Sequence, residues 1–270
     1  MVYIIHLYND SKGEVCMKIE FYNLYIKTTK NDNKEIAELS VGNLLGSSLN
    51  IKTLKLAGTL KTGETNGKTS NGYLNCLSFS GSMLLSEIDI TGLNTAFIYD
   101  MQGLFDGCWG LNKINMSGLR TRAVGDMSKM FNGCVSLSSI DISGIDTRNV
   151  VDMSNMFSNC FALKELDVSM LNTSNVQYMQ SMFKWCERLT YLDLSNFNTE
   201  NVKNISRIFA ECHSLRYLDI SNFNLTNADN TEEMFVGCTG LEKIKLPKDK
   251  LTCGIVTAQL RKNDIQCEFI

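Results

Sequence analysis

Six cysteines stand at positions 108, 134, 160, 186, 212 and 238, and every gap between them is 26 residues. A constant period of this size marks an array of like units stacked one on another, and it outranks any local pattern. Blocks of 26 residues from 83 to 238 bring further columns into line. Phenylalanine recurs at Phe105, Phe131, Phe157, Phe183, Phe209 and Phe235. One residue earlier stand Leu104, Met130, Met156, Met182, Ile208 and Met234, and four earlier Met101, Met127, Met153, Met179, Ile205 and Thr231. These two columns hold eight of the chain's 13 methionines, so methionine here fills a core.

The start of each block is equally regular. Leu85, Leu111, Leu137, Leu163, Leu189 and Leu215 each open the pattern L-x-x-[IL]-[DN]-apolar-[ST]. Its end alternates apolar and polar residues, the period of a strand with one buried face. The second half has another period. Val176, Met179, Met182, Phe183 and Cys186 recur at one face of a helix, with Thr173, Ser174 and Asn175 before them as N-cap candidates. The expectation is an α/β solenoid: a parallel β-sheet on one face, short helices of about three turns on the other, each unit burying its neighbour's apolar side.

The run Met156-Phe157-Ser158-Asn159-Cys160, followed by Leu163, Leu166, Asp167, Val168 and Ser169, resembles the BspA-like leucine-rich-repeat family of bacterial surface proteins. The likeness covers 83–246 in six aligned copies. It implies a right-handed leucine-rich-repeat array used for recognition or adhesion at a cell surface, without enzymatic activity. No secretion signal is read at the N-terminus: Val2 to Ile5 is apolar, but no basic segment precedes it and Asn9, Asp10 and Lys12 cut it short. No apolar run is long enough to span a bilayer.

Four regions are expected: a β-rich N-terminal cap over 1–50, a degenerate first repeat over 51–82, the solenoid over 83–246, and a C-terminal cap over 247–270. Within 51–82, Thr59 to Gly72 is longer than the repeat allows and reads as a protruding loop. Pro247 ends the last strand, and a short helix is expected around Thr257 to Lys262.

The chemical readings are thin. Cys108, Cys134, Cys160, Cys186, Cys212 and Cys238 point the same way, one per unit, with no C-x-x-C pair. Zinc needs ligands that converge, and disulfides need side chains that face each other. Buried free thiols are therefore expected, with a metal or disulfide as the minor reading. The chain has two histidines, His6 and His213, and none of the phosphate-loop, dinucleotide or nucleophile-elbow motifs. No catalytic residue, cofactor or metal ligand is expected. The net charge of -3 offers no basic footprint for nucleic acid.

Function is expected on the outward face of the strands. Asp141, Glu165, Asp167, Tyr191, Asp193, Tyr217 and Asp219 would lie there on successive rungs. Two readings stay open. The face is either solvated, its carboxylates bound to local hydroxyls and backbone donors, or a recognition stripe with Tyr191 and Tyr217 as anchors. The partner would be a protein or a surface glycan. The rival class is a structural or assembly component, such as a virion protein or an intracellular scaffold.

Overall fold

The computed structural model describes residues 78–270, apart from Phe97 and the Asn94 side chain, and before them the backbone of seven strands and the Leu54 side chain. Strand β1 (Val2–Asn9) pairs antiparallel with β2 (Val15–Ile26). From there pairing is parallel through β6 (Thr53–Thr62), β8 (Glu87–Asn94) and β9 (Lys113–Asn115), in the order β1-β2-β6-β8-β9. Two small sheets join β3 (Thr29–Asn31) to β4 (Lys34–Ile36) and β5 (Glu38–Ser40) to β7 (Cys76–Ser78). A further parallel sheet runs β10 (Tyr191–Asp193), β11 (Tyr217–Asp219), β12 (Lys243–Lys245) and β13 (Glu268–Phe269). Its β10–β11 and β11–β12 registers equal the repeat: Leu192 faces Leu218, which faces Ile244. The chain is a parallel-strand repeat solenoid. Strand β6 takes in Thr59 to Thr62, the first residues of the expected loop; residues 63–75 of that region lie outside the described residues.

The columns form the core. Rings of Phe79, Phe105, Phe131, Phe157, Phe183, Phe209 and Phe235 stack between neighbours at 5.4 to 6.1 Å. The methionine columns and the leucines of the strand pattern are buried around them. All six cysteines of the period are buried thiols, and each donates to the phenylalanine carbonyl 29 residues earlier, at 3.0 to 3.3 Å.

The expected helices are not formed. Residues 101–108 and their equivalents in every later rung fold as overlapping turns. In one rung Met182, Lys184 and Cys186 donate their N–H to the carbonyl three residues back, at Met179, Ser181 and Phe183. The alternate N–H groups, on Met179, Ser181, Phe183 and Trp185, donate instead to Asn204, Ser206, Ile208 and Ala210 of the next rung. A left-handed residue closes every second turn: Gly103 and Gly107, Asn155 and Asn159, Ser181 and Trp185 all have φ between 56° and 70°. A helix admits no such residues. The spacing supplies the reason. Strands stack about 4.8 Å apart, whereas a helix with its side chains is about 10 Å across. A ribbon of turns stacks at the strand spacing and binds its neighbour directly. Beside it, parallel bridges link Asp100, Asp126, Asp152, Tyr178, Asn204 and Asn230 in one unbroken line.

Side chains seal the corners. Asp or Asn accepts the N–H two residues on at up to three points per rung, as at Asp141–Ser143, Asp146–Arg148 and Asp152–Ser154. These local bonds favour turns over helix or strand. The buried Thr121, Thr147, Thr173 and Thr199 hydroxyls each bond both the N–H and the carbonyl of one residue in the next rung. The side-chain amides of Asn149, Asn175, Asn201 and Asn227 donate to the carbonyl 27 residues earlier.

Helix α1 (Lys250–Lys262) follows the last rung and begins seven residues before the expected start. Asp249 caps it by accepting the Thr252 N–H at 2.7 Å, and Arg261 and Lys262 stand at its negative end. Thr252, Val256 and Leu260, one turn apart, are buried, and the Thr252 hydroxyl accepts the Leu225 N–H.

Candidate partner-binding face

The strand pattern aims every second side chain away from the core. Asp141, Glu165, Asp167, Tyr191 and Asp193 are exposed and Tyr217 is half-buried. Parallel pairing at the repeat register lays Tyr217 on Tyr191, their rings 4.7 Å apart and within 5° of parallel. The ring spacing equals the rung spacing, so the sheet itself builds the aromatic step. Tyr191 keeps 54% of its surface exposed. Its hydroxyl is pushed above the usual tyrosine range by partial burial first, then by the charge of Asp193.

Asp219 departs from expectation. It is buried at 3% exposure, and Lys245 of the next rung reaches its carboxylate at 3.0 Å. Burial alone would raise its pKa. Bonds from Ser221 and Lys245 outweigh that and hold it below the usual carboxylate range. Asp219 therefore belongs to an ion pair at the edge of the face and not to the exposed set.

The remaining carboxylates have work within their own rung. Asp141, Asp167 and Asp193 each accept the N–H of the serine two residues on, at 2.9 Å. The Ser143 and Ser169 hydroxyls and N–H groups hold Asp141 and Asp167 below the usual range. Among the described residues Glu165, Asp167 and Asp193 have no ion pair, whereas Glu87 of the same column pairs with Lys113 at 3.3 Å.

A groove of about 600 Å³ opens between the rungs of Glu165 and Tyr191. Asp167, Ser169, Asp193, Ser195 and Asn196 share its walls. The strand ladder is interrupted here: residues 139–141 and 165–167 carry the strand pattern but are not strands. The Asn196 amide bridges the gap by donating to the carbonyls of Val168, Ser169 and Leu171. Among the described residues no three His, Cys, Asp or Glu side chains converge as metal ligands, and no helix is long and apolar enough to cross a membrane.

A family described as Mycoplasma protein of unknown function, DUF285, matches residues 77–167 and, in a second copy, 133–246. The matches jointly span 77–246, more than half of the 270 residues, and coincide with the stacked rungs. The chain belongs to this family. No curated protein matches it. Along this chain the Phe, Cys and Thr ladders recur, whereas the column of Tyr191 and Tyr217 varies: it also holds Glu87, Lys113, Ser139, Glu165 and Lys243.

Two features escaped the sequence reading. Trp185, left-handed at φ 62°, places its ring between Phe161 at 6.2 Å and His213 at 5.9 Å on the turn edge. A bulky residue in that conformation is an outlier. The other is a hollow beside Arg120 and Arg122. Its signal was a break in a column: alanine at 123 where later rungs carry Asn149, Asn175, Asn201 and Asn227.

Proposed function

We propose that the chain is a non-enzymatic recognition module, a right-handed leucine-rich-repeat solenoid of BspA-like type that holds a macromolecular partner on its strand face. Partner means a protein or a surface glycan, and a cell surface is the setting the resemblance suggests. The observation that carries the reading is the stacked Tyr191–Tyr217 pair, Tyr191 exposed and Tyr217 half-buried, beside a groove whose carboxylates, Glu165, Asp167 and Asp193, make no ion pair among the described residues. Aromatic anchors flanked by three carboxylates, with Lys164 the one cation in the groove lining, suit a protein that presents lysine or arginine side chains. The test is an array of basic, neutral and acidic peptides. Preferential retention of basic peptides, weakened about tenfold or more by Tyr191→Ala with Tyr217→Ala at unchanged unfolding temperature, supports it. Equal retention by the wild type and the double variant removes it.

A second reading, an assembly component, has one observation in its favour. Phe269 of β13 and the adjacent Ile270 are more than half exposed at the edge of the last sheet. Such edges pair with other chains. Concentration-dependent association, abolished by Phe269→Lys, would favour this reading over the first.

A further inference from the structure

The asparagine ladder begins at Asn149, and a hollow lies beside the rung before it. In four rungs the side-chain amide of Asn149, Asn175, Asn201 or Asn227 fills the corner and donates to Arg122, Arg148, Ser174 or Glu200. One rung earlier the column holds Ala123. By the register of the ladder, an asparagine at 123 would reach the carbonyl of Ala96. An open hollow of about 410 Å³ lies there, its lining including both Ala96 and Ala123.

Arg120 and Arg122 line the same cavity. Thr121 between them is buried and bonds into the next rung, so its two neighbours turn outward. Among the described residues neither arginine has an ion pair. The Asp146 carboxylate is held by Arg148 through its Nε at 2.9 Å. Arg122 acts on it only through its charge, the least of the causes that lower the Asp146 pKa. Later rungs keep no such pair: the columns of Arg120 and Arg122 continue as Asp146, Asn172 and Asn198, and as Arg148, Ser174 and Glu200. Two planar, permanently charged donors thus line one hollow, and guanidinium binds oxyanions in bidentate fashion. The cavity is larger than a bare anion needs, which leaves room for the small body that carries it.

We propose that this hollow is a binding site for a phosphate or sulfate monoester. It is separate from the strand face and stands whether or not that face binds a protein. The experiment titrates the purified protein with inorganic phosphate, inorganic sulfate, glucose 6-phosphate and N-acetylglucosamine 6-sulfate, read by calorimetry at constant ionic strength. Saturable binding of one equivalent is expected, with the esters distinguishing a sugar-borne group from the free anion. Arg120→Gln with Arg122→Gln should weaken it about tenfold or more. Ala123→Asn should weaken it as much while extending the ladder and leaving both charges in place. The unfolding temperature of each variant reports its fold. Absence of saturable binding by all four probes, or wild-type affinity in folded Ala123→Asn, overturns the proposal.

Discussion

The Cys160 thiol donates to the Phe131 carbonyl at 3.1 Å, across 29 residues of sequence and one rung of the solenoid. That carbonyl already accepts the Cys134 N–H at 3.2 Å. Sulfur is thus the second partner of an oxygen with two lone pairs, and burial pushes the Cys160 thiol up to about 12. Thiolate is the reactive form, so Cys160 should be inert toward iodoacetamide at pH 8 until the chain is unfolded. Cys160→Ser keeps a donor and should cost less than Cys160→Ala, which should lose about 1–2 kcal/mol in urea unfolding. Fast labelling of the native protein would remove the column from the core.

Thr173 makes a stronger test of the corner. Its hydroxyl accepts the Asn198 N–H at 2.8 Å and donates to the Asn198 carbonyl at 2.9 Å. Thr173→Val keeps the shape and strands both backbone groups in a buried corner. The expected loss is about 2–4 kcal/mol by chemical unfolding. Thr173→Ser should recover most of it. An effect under half a kcal/mol, about the size of an ordinary surface change, would mean that the ladder does not hold the rungs.

Asp219 should make stability depend on acid. Its folded pKa lies below the unfolded value, so its contribution is complete above about pH 4 and is lost as the pH falls through the folded value. Asp219→Ala should cost about 1.5–3 kcal/mol at neutral pH, since it removes bonds to a charged group. The gap between variant and wild type should narrow as the pH falls below about 4. A gap that does not change with pH would assign the loss to packing.

Much of this architecture was legible because a repeat multiplies weak signals. Leu163, Leu166 and Val168 mean little once; in register over six rungs they fix one buried face. The turn ribbon was misread for a physical reason. Met101, Leu104, Phe105 and Cys108 fall at i, i+3, i+4 and i+7, and overlapping turns bury that set as a helix does. The discriminating residues were Gly103 with Gly107, and Asn155 with Asn159, which tolerate left-handed backbone and weaken helices. Asp219 was misplaced because its burial depends on a lysine 26 residues on, which no pattern within one rung records. The Tyr191–Tyr217 stack was legible, since the period alone superposes the two residues.

The central structural claim is that stacked turns, and not helices, make up the second half of each rung. Far-ultraviolet circular dichroism of the intact protein tests it directly. The account predicts a spectrum dominated by strand and turn, with a weak 222 nm band from the 13 residues of α1. Six further helices of about 11 residues each would multiply that band several-fold, and such a spectrum would contradict the account.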